Sequence, residues 1–164
     1  MGRKAAKENK TKYLMSRENA NLSRAAAAEV LGFVSEDRIE RIEYEKSNPY
    51  PEEILAMAEG YKDPELCNYY CSTKCPIGQK YVPKLEMKSL SQITLEILAS
   101  LNAMEKEKNR LIEITVDGHI SPEESKDFKT IQAQLSEISV AIDSLQLWLE
   151  KAMADGKYES EMIS

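Results

Sequence analysis

Two kinds of residue in this chain have the types and spacing for chemistry of their own, thiols and clustered carboxylates. Cys67, Cys71 and Cys75 fall within nine residues, a density that could serve a metal or a thiol switch. Their spacing of four and four is not the CxxC knuckle of zinc sites, and the chain's one histidine, His119, is far away in sequence. On one continuous helix Cys67 and Cys75 would stand about 12 Å apart along the axis, too far for a shared zinc or a disulfide. A site would need the helix to break before Cys75, which Pro76 permits. Otherwise the three thiols are small packing residues beside Tyr69 and Tyr70.

The second cluster is Glu113 to Glu124, EITVDGHISPEE. It places Asp117, Gly118, Ile120 and Glu124 at the fifth, sixth, eighth and twelfth positions of a calcium loop. Glu113 at the first position and Thr115 at the third remove two expected oxygen ligands. A helix stop followed by a capping box explains the same letters. His119 has no nucleophile or second base assigned to it, and there is no Gly-rich phosphate loop. The remaining carboxylates are spread where helix-surface pairs account for them. The expectation is a protein that is not an enzyme and needs no cofactor.

The arginines depend on the elements that carry them, and these are best defined from Leu22 to Glu43. Ser23 is placed as an N-cap, and Ala25 to Ala28 combine high helix propensity with little bulk. Gly32 follows Leu31 where a left-handed residue would stop that helix. Ser35 is a second N-cap, with Val34 and Ile39 spaced as a hydrophobic staple and Ile39 and Ile42 on one inward face. A helix, a Gly-containing turn and a capped second helix make the helix-turn-helix pattern.

The chain here resembles the Cro/CI-type (XRE) helix-turn-helix family over about residues 12 to 62. The matching residues are Arg17, Glu18, Leu22, Ser23, Ala27 or Ala28, Leu31, Gly32, Ser35, Ile39, Ile42, Glu43, Asn48 and Pro49. The resemblance implies a lambda-repressor-like helix-turn-helix domain in which Arg17 pairs with Glu43. It implies that Arg24 meets phosphate at the start of the second helix. Ser35, Glu36, Asp37, Arg38 and Arg41 then form the reading surface of the third helix. Arg38 and Arg41 can each grip guanine O6 and N7, and Lys10 and Lys12 join them on the DNA. Glu36 and Asp37 depart from what a DNA-facing helix should carry. From Ser35 to Lys46 three basic residues face five acidic ones.

Charge along the chain bears on that reading. The net charge is −6, but the residues up to Arg24 carry about +5 and the rest about −11. A basic head on an acidic body can hold one face to phosphate; the alternative is a solvated tail. Six Gly and six Pro in 164 residues argue against an all-β fold. No apolar run approaches a membrane span, the N-terminus lacks the apolar core of a secretory signal, and three cysteines are an odd number. A cytoplasmic location without membrane contact is expected.

The full expectation is all-α. Residues 1–10 form a disordered basic arm, 11–80 the helix-turn-helix domain, 81–88 a linker, 89–156 a helical hairpin and 157–164 a disordered tail. Helices are expected over Thr11 to Asn19, Arg24 to Leu31, Glu36 to Tyr44, Pro51 to Gly60 and Glu65 to Thr73, the last ended by Pro76 and Gly78. Two long helices follow, Ser89 to Val116 and Pro122 to Ala154. In the second, Phe128, Ile131, Leu135, Ile138, Ile142, Leu145 and Leu149 make a strict a/d seam. In the first, Leu90, Ile97, Leu101, Met104 and Leu111 have similar spacing. Their short connection makes them antiparallel neighbours. Leu95, Leu98, Ile112, Val140, Leu147 and Trp148 lie off the seam and need a cover, either the hairpin of a second copy or the chain's own N-terminal domain. The expected function is sequence-specific binding of double-stranded DNA by a dimeric transcriptional regulator joined through residues 89–156. A helix-turn-helix-derived adaptor that binds protein is the alternative, and a thiol- or metal-responsive regulator is a third reading.

Overall fold

The computed structural model describes residues 10–157. The expected arm and tail fall almost wholly outside them. The described residues are all helical in architecture, with eight helices: α1 Lys12–Asn19, α2 Arg24–Leu31, α3 Glu36–Glu43, α4 Pro51–Gly60, α5 Glu65–Thr73, α6 Pro76–Tyr81, α7 Leu90–Thr115 and α8 Ser125–Ala154. None is long and apolar enough to cross a membrane. They divide into two compact units. One runs to Lys84 and also takes the chain from Glu150 onward; the other is Leu85–Leu149. The hairpin unit is thus shorter at its C-terminal end than 89–156, because the last turn of α8 belongs with the first unit.

Short helices need their ends satisfied, since four N–H and four C=O groups at each helix lack internal partners. Thr11, Ser23 and Ser35 cap α1, α2 and α3, each hydroxyl accepting from the amide three residues on at 3.1–3.3 Å. Such caps contribute about 1 kcal/mol apiece. At their C-termini α1, α3 and α4 close with one device: Leu22 N–H donates to Arg17 O, Lys46 N–H to Arg41 O and Asp63 N–H to Ala58 O. The intervening Asn21, Glu45 and Lys62 take left-handed φ angles of 53–57° without being glycine, the geometry of a Schellman close.

α4 ends at Gly60, as expected, and this glycine also has a packing role. A Cβ there would sit 2.9 Å from Val30 Cγ1 and 3.1 Å from Leu31 Cδ2. Its role is to let α4 approach α2. The core of this unit is formed by Tyr13, Ala27, Leu31, Val34, Ile39, Ile42, Ile54, Met57, Tyr61 and Leu66, at about 25 cal/mol per Å² of apolar surface removed from water.

Pro76 and Gly78 also correct an expectation. They do not merely end α5 but build α6. Cys75 is the N-cap, its Sγ accepting from Gly78 N–H at 3.4 Å, and Pro76 is the first helical residue, where a missing N–H costs nothing. Gly78 packs on the backbone of Cys71, where an added Cβ would lie 2.0 Å from the carbonyl oxygen. From Val82 to Ser89 the chain has no regular secondary structure.

In the second unit α7 and α8 form the antiparallel hairpin. Ser89 caps α7 with a Ser/Gln box, and Ser121 with Glu124 forms another in the turn before α8. Residues 122–124 are turn rather than helix, so α8 starts three residues later than expected. The inner stripe of α7 is Ile93, Ile97, Ser100, Met104, Glu107, Leu111 and Ile114, all buried or half-buried. Leu90 and Leu101, expected on it, face solvent. On α8 Ile131, Ala141 and Ser144 are buried while Leu135, Ile142 and Leu145 are exposed. The expected seam is therefore kept only in part: Ile97, Met104 and Leu111 of α7 and Phe128, Ile131, Ile138 and Leu149 of α8 are buried or half-buried, and the rest face solvent. A 3.5-residue repeat drifts about 20° per heptad on a straight helix, so it does not stay on one neighbour. Small residues (Ser100, Ala141, Ser144) share the buried positions with Ile93, Ile114 and Ile131.

Candidate nucleic-acid interface

The residues expected to read DNA converge on α3, and the structure sorts them into two groups. One group is occupied with holding α3 in place. At its C-terminal end, Glu43 is 1% exposed. Its carboxylate accepts from Arg17 Nε at 2.5 Å, Arg17 Nη2 at 3.2 Å and Arg24 Nε at 2.8 Å. Arg17 spends a further N–H on Leu22 O at 2.6 Å, and Thr11 Oγ1 donates to the backbone carbonyl of Glu43 at 2.7 Å. One carboxylate thus ties α3 to α1 and α2. Nearby Tyr61 has its phenol pushed up to about 12, by burial and then by the charge of Glu43.

At the N-terminal end of α3, Arg38 makes a bidentate pair with Glu53 of α4, Nε to Oε1 and Nη2 to Oε2, both 2.7 Å. It also donates to Ser47 Oγ at 2.7 Å and Asn48 O at 3.0 Å, and lies 5.2 Å from the centre of the Tyr50 ring. Glu53 accepts in turn from Tyr50 N–H at 2.7 Å. Burial raises the Glu53 carboxyl, but the Arg38 and Tyr50 hydrogen bonds outweigh it and hold it below the usual carboxylate range. The four donations account for most of the guanidinium's hydrogen-bonding capacity. Arg38 is a clasp in this state, and the bidentate guanine contact expected of it would require opening that clasp. Glu53, Ser47 and Tyr50 were not singled out from the sequence. The readable signal was Glu53 three residues after Tyr50, the N3 position at which an acid reaches back to the helix start.

The second group faces outward. Ser35, Glu36, Asp37 and Arg41 are exposed, and Arg41 has no ion-pair partner among the described residues. Arg24 stands between the groups. Its guanidinium lies 5.2 Å from the Tyr44 ring centre, with Glu40 at 3.8 Å from Nη1, and its side chain is 25% exposed. Lys10 and Lys12 are paired, with Glu18 and Glu65 respectively. The exposed side of α3 therefore offers one unpaired cation amid Glu36, Asp37 and Glu40.

Cys67, Cys71 and Cys75 are half-buried free thiols. The break before Cys75 that a shared site required is present, but no three His, Cys, Asp or Glu groups among the described residues are close enough to hold a metal. Burial, with smaller contributions from Cys71 and nearby acids, pushes the Cys67 thiol up, away from the reactive thiolate.

A scan against family models and searches of curated proteins and of solved structures returned no match.

Proposed function

We propose that the chain is a sequence-specific DNA-binding regulator that works as a dimer, with α3 as the reading helix and the hairpin as the joint between copies. The observation that carries this reading is the mounting of α3. An eight-residue helix is clasped at one end by Glu43 and at the other by Arg38, with its outer face left free. Protein groups that read bases must be held rigidly by contacts behind them. The sequence resemblance to Cro/CI-type proteins supports the same reading. Within it, Arg41 is the residue for a guanine edge, Glu36 or Asp37 can accept from cytosine N4, and Arg24, at the start of α2, meets phosphate by exchanging one of its internal contacts.

Selection from a randomised duplex library by the full chain at about 50 mM salt tests this. Enrichment of a two-part palindromic site is expected, with affinity falling steeply as salt rises. Arg41→Ala should relax preference at one position of each half-site by about 1–3 kcal/mol. Absence of any enrichment sinks the reading.

One observation favours a second reading, a protein-binding adaptor on the same scaffold. Two of the three arginines of α2 and α3 are engaged internally, and the free face is acidic. A basic protein segment would meet that face without the repulsion that phosphate encounters.

A further inference from the structure

The hairpin carries a second apolar stripe, distinct from the one that packs α7 on α8. On α7, Leu90, Leu98, Leu101 and Ile112 are exposed, as is Val116 at its C-cap. With Thr94, Glu105 and Lys108 they fall within about 80° of one another around the helix. From Leu98 the steps are 3, 4, 3 and 4, to Leu101, Glu105, Lys108 and Ile112, and three more reach Thr115. This is an a/d seam that faces solvent among the described residues. Its centre holds one acid and one base, Glu105 and Lys108, which pair with each other along the helix.

We infer that this stripe is where a second copy of the chain docks, α7 against α7 and antiparallel. The sequence is self-complementary about a twofold axis between Lys106 and Glu107. That axis sets Glu105 opposite the partner copy's Lys108, Leu101 opposite its Ile112 and Leu98 opposite its Thr115. Each such pair joins an a position to a d position, as antiparallel knobs-into-holes packing requires. The interface is isologous, so every contact occurs twice. A parallel pairing would instead stack Glu105 on Glu105 and Lys108 on Lys108. The charges thus select the direction, and the leucines supply the area. The inference rests on the reading that the hairpin joins two copies, and it specifies the face and register.

The test is the molar mass of the full chain in solution, by sedimentation or light scattering, with circular dichroism to confirm that each variant stays helical. The wild type should run at twice 18.6 kDa, and the exposed-site double variant Leu101→Glu/Ile112→Glu at once that mass. Glu105→Lys alone and Lys108→Glu alone should each raise the dimer dissociation constant about tenfold, because like charges then meet twice. An equimolar mixture of those two variants should restore the dimer, since every pair becomes opposite again. If charge reversal leaves the dimer unchanged, the antiparallel register is wrong. If Leu101→Glu/Ile112→Glu remains dimeric while Leu135→Glu/Ile142→Glu does not, this face is wrong although two copies are joined. A wild type that stays monomeric at every concentration overturns both the face and the joined-copies reading.

Discussion

In the first unit, α3 is eight residues long and is fixed by charges at both of its ends; in the hairpin, the 26 residues of α7 are fixed by an apolar stripe and leave leucines in solvent. The contrast lies in what each kind of signal specifies. A cap, a buried ion pair or a glycine at a close approach is satisfied by only one arrangement of its neighbours. An apolar repeat is satisfied by any helix that presents a matching repeat. Both units leave apolar side chains in solvent, Phe33, Leu55 and Ile77 in the first and Leu98, Leu101 and Ile112 in the hairpin, but only those of the hairpin recur as a helical stripe.

The comparison breaks most readily at Glu43. Replacing it with alanine leaves Arg17, almost fully buried, without its counter-charge and loosens Arg24 as well. Removal of one partner of a buried pair costs about 3–5 kcal/mol. Chemical denaturation of Glu43→Ala should show that loss in the transition of the first unit. A loss under about 1 kcal/mol would mean that the clasp is incidental and that packing of Ile39 and Ile42 alone holds α3.

How much was legible in the sequence follows the same division. Seven of the eight helices and the turn at Gly32 could be read from Ser23, Gly32, Ser35 and the apolar periods, because each of those signals acts within one turn of chain. Helix α6 was missed because Pro76 marks a start as readily as a stop, and only the tertiary contact of Gly78 with Cys71 decides between them. The hairpin was legible as two helices but its face was not. Leu135, Ile142 and Leu145 keep a perfect repeat, yet it is Ala141 and Ser144 that are buried. At the candidate site, the outward placement of Ser35, Glu36, Asp37 and Arg41 agrees with the pattern, whereas the capture of Arg38 by Glu53 depends on where α4 arrives. Periodicity within α3 holds no information about that.

A smaller loss is expected at Gly78. Alanine there must move the Cys71 carbonyl, which is backbone and does not rotate away. The expected destabilisation is about 1–3 kcal/mol, seen as a lower denaturation midpoint and as faster amide exchange across α5 and α6. Gly118 offers the control from the hairpin. Its φ is +74° and nothing lies within 4 Å of an added Cβ, so Gly118→Ala adds only local backbone strain of about 1 kcal/mol. Equal effects at the two positions would remove the case for a close α5–α6 approach.

The Arg38–Glu53 clasp should show itself in acid. Glu53 is held below the usual carboxylate range, so it binds its proton less readily folded than unfolded. The stability it contributes is present above about pH 4.5 and is lost as pH falls through its lowered folded-state pKa. Against wild type, Glu53→Gln should therefore be less stable by about 1 kcal/mol at neutral pH, as expected for a partly exposed pair. The gap should narrow only once the pH drops below the usual carboxylate value. A gap that stays constant down to pH 3 would assign the loss to packing, not charge.

The smallest effect is expected at Leu95, and it sharpens the contrast most. Ile93 and Leu95 are two residues apart on α7, at 0% and 67% exposure. Leu95 lies outside the inner stripe and, at about 120° from Leu101, also outside the stripe assigned to a second copy. Leu95→Gln should change unfolding free energy by less than about 0.5 kcal/mol and leave the molar mass of the full chain unaltered. Because Leu98 is only three residues away, the same substitution there should spare the unfolding of the isolated hairpin contacts but weaken association. If Leu95→Gln disrupts association as strongly as Leu98→Gln, the contact is a diffuse apolar patch without register, and the self-complementarity of Glu105 and Lys108 would not be what orients it.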